Sequence, residues 1–163
     1  NSRNGTFLFL RDYMDYHADK FKDNSLMFYK KNKLIALLPA HINEDVFSSH
    51  SGLTYGGFIV DEHMTGSMMM ELFELVQLYL KNNTSAKKWI YSPIPYIYIC
   101  YPCEEDLYVL FRNNAKIKER RISSVIMPSN TYGFSVLLYI VIVKFFVSVG
   151  ESSVILLSNV VAI

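Results

Sequence analysis

The chain changes character near its end. It carries 16 Lys and Arg and 15 Asp and Glu over 163 residues, yet beyond residue 131 only Lys144 and Glu151 are charged. The text from Tyr132 reads YGFSVLLYIVIVKFFVSVGESSVILLSNVVAI. Apolar surface on this scale has to be kept from water. Three solutions are open. A spanning helix needs about 20 mostly apolar residues, and Lys144 interrupts the run that ends at Val143, so no membrane span is expected. A buried pair of strands fits the β-branched content. The third solution is that 132–163 is not the native continuation of 1–131, as after a break in reading frame. The expected organisation is therefore a domain over 1–131 followed by an apolar tail over 132–163.

Before that break the chain reads as an ordinary domain of a size that can bury a core. Net charge is +1, so no basic field points to DNA or to an anionic surface. No basic-then-apolar leader opens the sequence, and the cytoplasm is the expected location. Thr6–Leu10 reads as a short strand or a helix entry. Tyr13, Met14, His17 and Phe21 follow at helical spacing. Met27–Tyr29 and Leu34–Ala40 read as a hairpin across a charged turn, and 46–60 as a third extended segment interrupted by glycines. Thr65 is an N-cap for a helix whose Met69, Leu72, Phe73, Val76 and Leu80 share one face. Lys88–Cys100 reads as an edge or bulged strand confined by Pro93 and Pro95. EEDLYVLFRNN reads as a short helix with acids in its first turn, and Ala115–Met127 as a last strand. This order predicts an α/β (α+β) domain with a mixed sheet flanked by helices.

Few motifs point to chemistry. Cys100-Tyr-Pro-Cys103 has redox spacing before a helix, but Glu104, Glu105 and Asp106 oppose a thiolate, so two semi-buried thiols are expected. No histidine or cysteine pair completes a metal site, and no metal is expected. Met68, Met69 and Met70 point in different directions on a helix and read as core filling. His17 reads as a packing residue, and His41 and His63 as solvated. Lys116, Lys118 and Arg120 alternate onto one solvated strand face. G-x-S-x-G, Walker and G-x-G-x-x-G signatures are absent.

Ser48–Phe58, SSHSGLTYGGF, holds three of the seven glycines. Gly56 and Gly57 permit a bulge or a close approach. His50 and Tyr55 are the candidate proton-handling groups. A bulged strand whose hydroxyls satisfy turn amides is the competing reading.

Taken in order, GTFLFLRDYMDYHADKFKDNSLMFY, NKLIALLPAHI, SSHSGLTYGGFIV and EEDLYVLFRNNAKIKERRISSVIMPSNTYGF resemble a GNAT-type acyltransferase. The likeness is closest to a Bacteroidetes branch of GNAT N-acetyltransferases related to FemAB-like enzymes that act on peptidoglycan precursors. It covers about residues 5–137. It implies an N-acyltransferase that uses acetyl-CoA or another acyl-CoA on a small-molecule or peptidoglycan-precursor amine. It also implies that only the N-terminal half of such a protein is present. Ser51, Thr54, Tyr55, Gly56 and Gly57 would line the acceptor side, with His50 or Tyr55 handling the proton. The family's acyl-donor site uses backbone amides at a glycine-containing turn before a helix. No such loop is recognisable here.

Overall fold

The computed structural model describes residues 2–16, 18–49, 52–100, 103–128 and 134–148, with 123–128, 134–143, 146 and 148 described through their backbone alone. The chain opens with a 3₁₀ turn, Phe7–Phe9, and a single-turn helix α1, Arg11–Asp15. The expected helix does not run on to Phe21. Met14 is the one buried side chain of α1, too little apolar contact to carry a longer helix. Phe21 instead packs on the ring of His41, 4.9 Å between centroids. His41 is thus buried rather than solvated. His63 is exposed as expected, and His17 lies outside the described residues.

Strands β1, Leu26–Lys30, and β2, Lys33–Leu38, form the predicted hairpin. Lys31 and Asn32 both have positive φ, 50° and 62°, the two-residue turn whose twist matches paired strands. The extended segment expected over 46–60 is instead two short strands in different sheets, and an unexpected strand precedes it. β3, His41–Asn43, turns antiparallel onto β4, Val46–Ser48. β5, Ile59–Val60, pairs with β2 in a different sheet. Helix α2, Gly66–Asn83, then crosses to β6, Lys88–Tyr91, which lies parallel to β4. β6 ends before Pro93 and Pro95, which cannot donate to a ladder. Helix α3, Glu105–Arg112, leads to β7, Lys116–Pro128, and β8, Phe134–Ser148, pairs back onto it.

Two sheets result, β1-β2-β5 and β3-β4-β6-β8-β7. The second is mixed, with the parallel β4–β6 pair among antiparallel neighbours. Of the apolar tail, Phe134–Ser148 is thus a strand of this sheet, and 149–163 lie outside the described residues. β8 stands inside the sheet between β6 and β7, and Val147 is fully buried. Lys144, the charge that interrupts the apolar run, faces Glu119 across the β7–β8 ladder, with Nζ 3.6 Å from Oε2.

α2 does what its periodicity predicts. Thr65 Oγ1 accepts from the amide of Met68 at 3.3 Å, and Met69, Leu72, Phe73, Val76 and Leu80 are buried. They close over a core of Phe28, Phe47, Phe58, Trp89 and Tyr91. Of the methionine trio only Met69 is fully inside. Gln77 Nε2 donates to Asn113 Oδ1 at 3.0 Å and ties α2 to the end of α3. No helix among the described residues is long and apolar enough to cross a membrane.

Candidate functional site

The glycine-rich segment folds against the ends of β4 and β6. Gly56 N–H donates to the carbonyl of Ser92 at 2.9 Å, and Ser49 Oγ donates to the carbonyl of Ile90 at 3.1 Å. Both glycines have a packing reason. A Cβ on Gly56 would stand 2.8 Å from Ser49 Cβ and 2.9 Å from its carbonyl oxygen. Gly57 has φ +83°, and a Cβ there would stand 2.8 Å from the Tyr91 hydroxyl. Any close approach these glycines permit is therefore taken up by the chain itself.

Tyr55 is buried in a second, smaller apolar cluster with Leu8, Met14, Leu53 and Ile94. Its ring stacks on Tyr98 at 5.1 Å, and Phe9 meets it edge-on at 6.1 Å. Its hydroxyl bonds the Thr6 hydroxyl at 3.2 Å. Burial pushes the phenol above its ordinary value against the opposing bond from Thr6, so at neutral pH Tyr55 is a hydrogen-bond donor and not a base. Thr54 is exposed beside it. His50 and Ser51 lie outside the described residues.

A polar cluster that the sequence did not announce sits at the start of α3. Tyr91 is wholly buried at the end of β6. Its hydroxyl donates to Asp106 Oδ2 at 2.9 Å and accepts the Phe58 N–H at 3.0 Å. Burial drives the Tyr91 phenol well above its usual value, and the Asp106 charge adds to this. Burial likewise raises the Asp106 carboxyl, although bonds from Tyr91 and the Leu107 amide pull the other way. Arg3 supplies the countercharge, its Nη2 2.8 Å from Glu105 Oε2. Arg3 also binds β5 through its amide to the carbonyl of Val60 at 3.0 Å, and its own carbonyl accepts from Cys100 at 2.9 Å. Asn4 bonds Phe58 and Val60 through its side chain. Arg3, Asn4, Glu105 and Asp106 line a crevice of about 10 Å³, room for about one water, and the buried Arg3 Nε has no partner among the described residues. Sequence order hid the cluster because its members come from four separate segments joined only by the fold. The first-turn acid of α3 was the one visible trace.

Cys103 borders the same crevice. Burial raises its thiol, Arg3 opposes, and Glu105, Asp106 and Glu104 add to the rise. Cys100 and Cys103 are free thiols, and the acids act on Cys103 in the direction expected from the sequence. Among the described residues no group of three or more His, Cys, Asp or Glu could hold a metal ion.

The strand–turn–helix step from β5 into α2 is the other feature with chemical potential. Gly66 opens α2, and a Cβ built on it meets nothing within 4 Å. The first amides of a helix have no intrahelical carbonyl. Thr65 caps Met68, which leaves the amides of Gly66 and Ser67 at an uncrowded helix start.

No protein-family model matches the chain, and no curated protein matches it. Among solved structures, a crystal structure described as a "putative acetyltransferase" from Sphaerobacter thermophilus matches with a TM-score of 0.50 at 10% identity. The match covers 90% of this chain and 79% of that one. The fold is acetyltransferase-like. At this identity the likeness concerns backbone architecture alone. Measured against this neighbour, the chain spans well over half the fold.

Proposed function

We propose that the chain is an N-acyltransferase that moves an acyl group from a thioester, such as acetyl-CoA, to an amine. The observation that carries this is the acetyltransferase-like fold, matched over 90% of the chain. The start of α2 supports a donor side. Free amides and the helix dipole at Gly66 and Ser67 suit a phosphate-bearing ligand, and the space around Gly66 leaves room for it. The crevice by Arg3 is too small to take a thioester. The finer assignment, a GNAT enzyme of the FemAB-related kind with a peptidoglycan-precursor acceptor, rests on the resemblance of the segment order.

In such a transfer the neutral amine nitrogen attacks the carbonyl carbon, the C–S bond breaks, and the proton lost by the amine ends on the leaving thiolate. Donors aimed at the developing oxyanion lower the barrier. On the acceptor side we assign the segment 50–57. Thr54 is exposed to meet the acceptor, and Gly56 and Gly57 keep the turn tight enough to hold it. Tyr55, protonated at neutral pH, suits delivery of a proton to the leaving sulfur, while His50 suits its removal from the amine.

Calorimetric titration with acetyl-CoA tests the reading. A saturable isotherm that weakens when Gly66 is replaced by Pro, with the circular dichroism unchanged, is the expected outcome. No heat from a folded protein would overturn it. That result would favour a non-catalytic binding domain, for which the exposed Tyr16, Tyr96 and Phe111 offer aromatic surface.

A further inference from the structure

We infer that the chain docks on an anionic lipid surface through the last turn of α3 and the first half of β7. The whole chain is near neutral, with a net charge of +1, but its charge is unevenly placed. From Leu107 to Pro128 there are five basic residues, Arg112, Lys116, Lys118, Arg120 and Arg121, against one acid, Glu119. All five basic residues are exposed. Glu119 is engaged by Arg121 and by Lys144.

The register divides these groups between the two faces of the sheet. Ile117, Arg120 and Ile122 pair with Phe145, Val143 and Val141, steps of two along β8, so these three residues of β7 share a face. It is the face on which Phe145 packs against the core. The register shift between Ile117 and Glu119 sends Lys116, Glu119 and Arg121 to the other face. The single face expected for Lys116, Lys118 and Arg120 is therefore split, and the acid is separated from Arg120.

On the core side, apolar side chains stand in solvent among the cations. Phe111 is 76% exposed, Ile122 72% and Ile117 51%. Asn114 N–H donates to the Phe111 carbonyl at 3.0 Å and Ala115 N–H to that of Leu110 at 2.9 Å. That tight turn keeps Phe111 and Arg112 close to the start of β7. From Ile122 the ladder continues to Pro128↔Phe134, and neither 122–128 nor 134–143 contains a charged residue. Nucleic acid would use the cations but gains nothing from isoleucine. A bilayer uses both: the cations meet lipid phosphates, and the apolar tips reach the boundary between headgroups and acyl chains. The contact stays at that depth, because unpaired ladder groups are not tolerated in the hydrocarbon.

Cosedimentation of the full chain with vesicles of equimolar phosphatidylcholine and phosphatidylglycerol tests the inference. The expected result is saturable binding that weakens as salt is raised and is absent with phosphatidylcholine alone. Lys118→Gln/Arg120→Gln should weaken it about 30-fold, roughly fivefold for each cation lost. Ile117→Ser/Ile122→Ser, with the charge unaltered, should weaken it about tenfold. Both pairs are exposed, so the near-ultraviolet signal of the Trp89 core should be unchanged. Failure to bind the anionic vesicles overturns the inference, and so does equal binding to phosphatidylcholine. Binding indifferent to either pair of substitutions does the same, as does polyuridylate RNA displacing the chain from the vesicles, which would assign the cations to nucleic acid.

Discussion

The Trp89 core and the Tyr55 cluster are both aromatic, but they are built differently. Trp89 meets Phe47, Phe58, Phe73 and Tyr91 within 6.5 Å, and the five come from β4, α2, β6 and the loop before β5. Tyr55 has Tyr98 on one face and Phe9 at an edge, and both lead outward to exposed Phe7, Leu10 and Tyr96. The first region is closed by the sheet, α2 and α3 together, and its contacts support one another. The second is a thin layer over irregular chain, where a side chain can be changed at lower cost. That contrast is why a binding function fits the second and not the first.

The largest effect should come from the closed core. Trp89→Ala should cost about 3–5 kcal/mol in urea unfolding, and Val147→Asp at least as much, because it places an unpaired charge in the sheet. If Tyr55→Ala cost as much as Trp89→Ala, the contrast between the regions would fail. Next come the glycines. Gly57→Ala should cost on the order of 1–3 kcal/mol through its positive φ and the Tyr91 hydroxyl behind it. Gly66→Ala, with open space around it, should be neutral or stabilising by roughly 0.5–1 kcal/mol. Equal costs at the two sites would show that the packing at Gly57 yields.

Hydroxyl removal should sharpen the comparison further. Tyr91→Phe strands the Asp106 carboxylate and the Phe58 amide, at about 1–3 kcal/mol. Tyr55→Phe loses only the bond to Thr6, at about 0.5–1.5 kcal/mol. Thermal denaturation of both variants in one buffer gives the order directly.

The smallest effects are in pH dependence, and they should have opposite signs. Burial raises Asp106, so its contribution to stability is present below the unfolded carboxylate range and is lost as pH rises through the folded value. Asp23, in the loop before β1, behaves the other way. Burial raises it, but the bonds from Ser25 and Arg11 outweigh burial and the net is a lowered value. Its contribution is present above the unfolded range and is lost as pH falls through the folded value. Relative to the parent chain, Asp106→Asn should therefore gain in melting temperature as pH rises through the acid range, and Asp23→Asn should lose. Parallel curves for the two variants would contradict the assigned environments.

Several elements were legible in the residues before any coordinates. α2 was visible because five apolar positions repeat at helical spacing behind a threonine cap, and local periodicity is enough to define such a face. The β1–β2 hairpin was visible from two apolar runs around a short charged turn. The split of 46–60 between two sheets was not, because alternation within a strand says nothing about which neighbour it pairs with. The glycines of TYGG point to close approach, but what approaches is Ser49 at Gly56 and, at Gly57, Tyr91, which lies 34 residues further along the chain. Of the Arg3–Glu105 and Tyr91–Asp106 pairs only the acids in the first turn of α3 were legible, not their partners.

By itself the sequence determined the helices with strong apolar periodicity, the hairpin, the mixed α/β character and the break in charge after residue 131, since each depends on neighbours within a few positions. Tertiary structure alone decided that Phe134–Ser148 enters the sheet beside β6, that Lys144 meets Glu119, and that at the start of α3 Glu105 meets Arg3 and Asp106 meets Tyr91. Those outcomes depend on strand pairing and burial between distant segments, and contacts of that kind leave no trace in local composition.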